Sequence, residues 1–173
     1  MSRTHTIPNA EVFAAIRALM ASGGEKAVAF SSVARATGLA APTLAQRYGS
    51  RDGMLRAALM AAWDGLDAAT TDAEAEAPLS AKGALAMLKA LDVDETEPAG
   101  LTLLTASFRD PALRAKAATW RIRIEAALAT RLGGGAKGRE SAALLFAIWQ
   151  GQALWQTSGE KGFKLKEALK RLS

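Results

Sequence analysis

The stretch that most constrains this 173-residue chain lies between residues 31 and 48. Two helix-sized runs, 31–37 and 42–48, are separated by only about four residues, Gly38 to Ala41. Gly38 suits the residue just past a helix end, and Pro42 suits a first helical turn, where a missing N–H is no loss. Val33, Ala34, Leu39, Leu44 and Tyr48 fall on inward positions, and small residues at Ala34 and Ala36 let the two helices approach closely. A flanking helix over 8–21 repeats Val12, Phe13, Ile16, Leu19 and Met20 on one face. Ser22-Gly23-Gly24 stops it. After Gly49, Ser50 is positioned as an N-cap with Asp52 in the next first turn. This fourth helix continues through Met54, Leu55, Ala58, Leu59 and Trp63 to about residue 69.

Two short helices with a tight glycine-containing turn and a supporting helix make a helix-turn-helix pattern. The second helix of such a pair can lie in the major groove of duplex DNA. Charge runs the same way. Residues 1–58 carry seven Lys/Arg against three Asp/Glu, whereas residues 59–135 carry eight against eleven. A basic head on an acidic middle fits a polyanion-binding module joined to another part. Residues 136–173 are basic again, with seven against three. There Lys161, Lys164, Lys166, Lys170 and Arg171 read as the solvated face of a final helix.

The remainder points to helices alone. Alanine is abundant, proline is scarce and β-branched runs are few, so the fold class is all-α. The expected organisation is an N-terminal three-helix helix-turn-helix domain over 1–62 and a helical bundle over 63–173, about nine helices in total. Residues 70–79 read as a solvated connector. Helices follow at about 80–91, 98–108, 111–132, 138–157 and 161–172, with Asp110-Pro111 as a cap and N1 proline and Gly133-Gly134-Gly135 as a stop. No apolar stretch approaches the roughly 20 residues a membrane span needs, and the first nine residues lack a signal-peptide core. A soluble cytoplasmic protein is the expectation. Cysteine is absent, which excludes disulfides and thiolate zinc sites. The single histidine is His5. No metal-ligand spacing or phosphate-cradling loop is present, so an enzyme, a metal and a cofactor are not expected.

The segment Phe30-Ser-Ser-Val-Ala-Arg-Ala-Thr-Gly-Leu-Ala-Ala-Pro-Thr-Leu-Ala-Gln-Arg-Tyr-Gly-Ser-Arg-Asp-Gly-Met-Leu resembles the DNA-binding signature of tetracycline-repressor-like (TetR) regulators. The matching pieces are Val33-Ala34, Ala36-x-Gly38-Leu39, Thr43-Leu44, Tyr48 and Ser50-Arg51-Asp52, and the resemblance covers residues 7 to about 62. It implies a DNA-facing set of Ser31, Ala41, Pro42, Thr43, Gln46, Arg47, Tyr48 and Arg51. Thr43 and Arg51 would touch phosphates, Gln46 and Arg47 would face base edges or phosphate, and Tyr48 would pack under the motif. Three positions depart from the family: Ala29, Ala40 and Ala45 each lack a hydroxyl commonly found there. A missing helix cap costs roughly 1 kcal/mol, and Ser31 is a candidate substitute cap.

The resemblance also implies a partner arrangement. A two-fold operator is read by a two-fold dimer. Residues 142–155 are apolar nearly all round, as in a helix buried on several sides, and the family dimerises through its last two long helices. The implied interface is Leu145, Phe146, Trp149, Gln152, Ala153, Leu165 and Leu169. A small apolar effector, a further family implication, would be lined by Met87, Leu91, Leu104, Phe108, Trp120 and Ile124, although core packing alone explains every one of these. The expected function is a ligand-released repressor on a palindromic operator. The competing reading is a TetR-like ligand- or protein-binding dimer in which DNA binding is weak or lost.

Overall fold

The computed structural model describes residues 7–91, 109–156 and 164–172. Among them the chain forms eight α-helices, one short 3-10 turn and no strand. The helices are α1 (Asn9–Gly23), α2 (Phe30–Thr37), α3 (Ala41–Tyr48), α4 (Arg51–Glu76), α5 (Ala81–Leu91), α6 (Pro111–Arg131), α7 (Gly135–Gln156) and α8 (Leu165–Leu172), with the 3-10 turn Glu25–Ala27 ahead of α2. The helix expected at 98–108 lies outside the described residues, as do the first residues of the one expected at 161–172. Two compact units divide the chain, Met1–Ala62 and Trp63–Ser173.

In the first unit α1 packs on the 3-10 turn and on α2, and α2 packs on α3. Val12 and Ile16 of α1, Val28, Val33 of α2, Leu44 of α3 and Met54 of α4 are fully buried. These are the apolar positions of the helical periodicity, and their burial holds helices too short to persist alone.

The second unit is built from the latter part of α4 with α5 to α8. There α6 packs on α7 and on α5, and α8 packs on both α5 and α7. Its centre is aromatic. The Trp120 ring lies 5.6 Å from Trp63, 5.8 Å from Phe146 and 6.5 Å from Trp149, all tilted contacts. The turn between α6 and α7 takes all three glycines 133–135 through positive φ, at 92°, 65° and 63°. That conformation strains any residue with a Cβ. The α7 helix begins within this run, at Gly135 rather than near 138, because the Gly138 N–H already bonds the Gly134 carbonyl at 2.9 Å.

The largest departure from expectation is α4, which runs to Glu76 and leaves only residues 77–80 as connector. Residues 70–79 have the composition of a loop, but their hydroxyls are satisfied inside the helix. Thr70 Oγ1 donates to the Leu66 carbonyl at 2.7 Å and Thr71 Oγ1 to that of Asp67 at 2.9 Å. Thr70 is fully buried and accepts a hydrogen bond from Trp120 Nε1 at 2.9 Å, and Ala73 is buried behind it.

Three cations of α6 bind this part of α4 in rising order. Lys116 Nζ lies 3.0 Å from Asp64 and 2.6 Å from Asp67. Arg123 donates to the Asp67 carbonyl at 3.2 Å and to Thr71 Oγ1 at 2.9 Å, and it pairs with Glu74 at 3.4 Å. Arg131, 5% exposed, donates to the carbonyls of Glu74 at 2.6 Å, Ala77 at 3.0 Å and Ala127 at 3.0 Å. Both numberings rise together, so the two helices run parallel here. The hydrogen bonds to Asp67 and then Asp64 raise the pKa of Lys116 above its ordinary value of 10.5.

Candidate nucleic-acid interface

The two helices α2 and α3 meet through Gly38, Leu39 and Ala40. Gly38 has φ 76° and ψ 2°, and its N–H bonds the Ala34 carbonyl at 2.8 Å, closing α2 with a left-handed cap. Thr37 Oγ1 donates to the Val33 carbonyl at 2.7 Å and accepts from the Leu39 N–H at 3.4 Å, tying the turn to the helix it follows. Ala40 is the N-cap of α3 and contributes no side-chain bond; Pro42 sits in its first turn.

Ala29 is likewise the N-cap of α2 without a side-chain bond. The substitute is Ser32 and not Ser31. Ser32 Oγ accepts from the Ala29 N–H at 2.9 Å and donates to the Ala27 carbonyl at 2.7 Å. Ser32 stands at N3, the position from which a side chain reaches back in a capping box. Ser31, two residues into the helix, points to solvent.

On α3 the residues separate by face. Leu44 is fully buried; Ala41 and Ala45 are half-buried; Pro42, Thr43 and Gln46 are exposed. Thr43 and Gln46 are three apart, so they share one side of the helix. That side offers a hydroxyl and an amide, groups able to bond phosphate oxygens or base edges.

Arg47, Tyr48 and Arg51 are engaged within the protein. Arg47 Nη1 donates to the Ile7 carbonyl at 3.0 Å and to Asn9 Oδ1 at 3.5 Å. Tyr48 donates its hydroxyl to Asn9 Oδ1 at 2.8 Å, with its ring 6.0 Å from that of Phe13. Arg51 Nε donates to the Val28 carbonyl at 2.7 Å, Nη2 to the Glu25 carbonyl, and Nη1 to Asp52 at 2.9 Å. The family resemblance implies both guanidiniums toward DNA; in the structure their N–H groups bind main-chain carbonyls of the segments that precede the motif. Nothing in the pattern signalled those carbonyls, because all three lie more than twenty residues away in sequence.

No family model matches the chain, and no curated protein sequence matches it. Solved structures do. A transcriptional regulator from Rhodococcus sp. Rha1 superposes with a TM-score of 0.77 at 21% identity, covering 96% of this chain and 94% of that one. The multidrug binding protein EbrR, complexed with imidazole, superposes at 0.67 and 23% identity, covering 96% and 93%. The chain has a TetR-like fold.

Within that TetR-like fold, the residues expected around an effector lie in the core of the second unit. Met87 and Ile124 are fully buried, and Leu91 and Trp120 nearly so; Leu104 and Phe108 lie outside the described residues. The residues expected at a dimer interface divide. Leu145, Phe146, Trp149 and Leu169 are already covered within a single chain, because the ring of Phe146 meets Trp120 and Trp149 at 5.8 Å each. Gln152, Ala153 and Leu165 are half-buried. The exposed apolar side of α7 is instead Leu144, Ala147 and Trp155, with Ile148 and Gly151 partly exposed between them. These positions recur at helical spacing on one face. Among the described residues no helix is long and apolar enough to cross a membrane, and no group of three or more His, Cys, Asp or Glu is placed to hold a metal ion.

Proposed function

We propose that this chain is a cytoplasmic DNA-binding transcriptional regulator, a ligand-released repressor that reads a palindromic operator as a homodimer. The observation that carries the reading is the face of α3: Thr43 and Gln46 exposed beside each other over a fully buried Leu44, on a short helix closed off from α2 by Gly38. A helix so presented can enter a major groove. The neighbours in fold support the reading, one a transcriptional regulator and the other a multidrug binding protein.

The face Leu144, Ala147, Ile148, Gly151 and Trp155 of α7 is the proposed contact with a second copy. An apolar effector would act among Met87, Trp120 and Ile124, favouring a conformation whose two reading heads no longer match the operator spacing. Ala29 and Ala40, which provide no cap bond, favour a second reading in which DNA affinity has weakened and ligand or protein binding is the main role.

Selection of a binding site from a random duplex pool, followed by salt titration, separates the two. A repressor shows one preferred palindrome and an affinity that falls steeply with salt. Equal, weak binding to all duplexes overturns the repressor reading.

A further inference from the structure

The first unit carries six cations among its described residues: Arg17, Lys26, Arg35, Arg47, Arg51 and Arg56. They are not equivalent. Arg47 is bonded to the Ile7 carbonyl and Asn9, Arg51 to two carbonyls and Asp52, and Arg56 is also engaged within the chain. Arg17 is half-buried on α1. Lys26 and Arg35 are exposed. Among the described residues neither makes an ion pair or a side-chain hydrogen bond.

Their placement is informative. Arg35 stands four residues after Ser31 on α2, one turn along the same exposed face. Lys26 lies in the 3-10 turn that leads into α2. Residues 26–51 contain no Asp or Glu at all, so neither α2 nor α3 presents a charge that would repel a polyanion, and Glu25, at the start of the turn, is half-buried. In a helix-turn-helix the first helix crosses the DNA backbone while the second reads bases. A cation that neutralises a phosphate must reach it, and a guanidinium whose donors are bonded to main-chain carbonyls is held back from doing so.

We infer that Lys26 and Arg35, with the Ser31 hydroxyl, form the phosphate-holding edge of this DNA-binding head, and that Arg47 and Arg51 are positioning residues that brace it. The assignment rests on the DNA-binding reading above. Phosphate contact through α2 and the turn before it fixes the register of α3, whose Thr43 and Gln46 then meet base edges. Arg47 holds the last turn of α3 to the start of α1, and Arg51 holds the start of α4 to the 3-10 turn that carries Lys26.

The test is a salt titration of the full chain on a duplex it selects from a random pool, with Lys26→Gln, Arg35→Gln and Arg47→Gln compared. Each phosphate contact contributes roughly 0.9 to the slope of log affinity against log salt concentration. Lys26→Gln and Arg35→Gln should each make the slope shallower by about that amount and weaken every sequence alike. Arg47→Gln should lower the melting temperature and leave the slope unchanged. Unchanged slopes in both Lys26→Gln and Arg35→Gln overturn the assignment, as does a shallower slope in a folded Arg47→Gln. A wild-type chain whose affinity for duplex is weak and insensitive to salt overturns the DNA-binding reading itself, a result distinguishable from unmoved slopes on a tight wild-type complex. Because Lys26 and Arg35 are exposed, neither substitution removes core contacts, so their slopes can be read even if Arg47→Gln unfolds the head.

Discussion

The two units are held together by different means. In the first, short helices are pinned at their ends: Gly38 closes α2, Ser32 reaches back over its start, and Arg47 and Arg51 grip carbonyls of preceding segments. In the second, long helices are joined along their length by a buried aromatic cluster and by three cations of α6 spaced down α4. Pinning at ends makes each joint a small number of directional bonds that fix one face of α3 sharply. Joining along the length spreads the stabilisation over area, and any one polar contact matters less. Under the proposed function, a reading head would need the first, and a body that takes up a second copy or a ligand could rely on the second.

The contrast can be broken most forcefully at Trp120. Trp120→Ala removes the centre of the aromatic cluster and leaves the Thr70 hydroxyl with only its bond to the Leu66 carbonyl, so it should cost about 3–5 kcal/mol in denaturant unfolding. The head, pinned by its own bonds, should retain its helices. Leu44→Ala probes the other side. It empties a fully buried position under the exposed face of α3, and a loss of about 2–3 kcal/mol is expected together with loss of duplex affinity.

Gln46→Ala sharpens the point without touching stability. If Gln46 makes a bidentate base contact, discrimination at one operator position should fall by roughly 1–3 kcal/mol, measured on a set of single-base operator variants. An equal loss on all variants would assign Gln46 to the backbone. Ser32→Ala removes the bond to the Ala29 N–H and should destabilise the head by about 1 kcal/mol, visible as a lower melting temperature.

The smallest effect concerns the α4–α6 ladder. Lys116 gains its partners on folding and its pKa is raised, so its stabilising contribution is full below the unfolded value near 10.5 and is lost as pH climbs through the folded value. A melting series at increasingly alkaline pH should show an extra decline that Lys116→Met abolishes. Since both carboxylate partners are partly solvated, the decline is modest and shrinks with added salt.

How far the sequence was readable follows from the same contrast. The helix-turn-helix was visible because its signals are local: Gly38, Pro42 and Gly49 occupy positions where the backbone or a missing N–H restricts the choice of residue, and Leu44 falls where the period requires. The end of α4 was not visible. Thr70-Thr71-Asp72 reads as a loop until Trp120, fifty residues on, supplies a hydrogen-bond donor and a wall. The directions of Arg47 and Arg51 were hidden for a like reason, since their partners at Ile7, Val28 and Glu25 are carbonyls that carry no residue-type signature. For α7, composition reported that it is apolar nearly all round but not which side the chain itself covers. Leu145, Phe146 and Trp149 turned inward, and Leu144 and Trp155 remained outside.

Arg131 grips α4 only through carbonyl oxygens, those of Glu74 and Ala77, besides one in its own helix. Every amino acid has that oxygen. The Arg131 anchor therefore sets no requirement of its own on the side chains at 74 and 77; Glu74 is held by its separate pair with Arg123, and Ala77 is kept small by its burial. Related chains should keep the arginine without any side chain that changes in step with it, a contact that pairwise covariation between side chains would miss altogether.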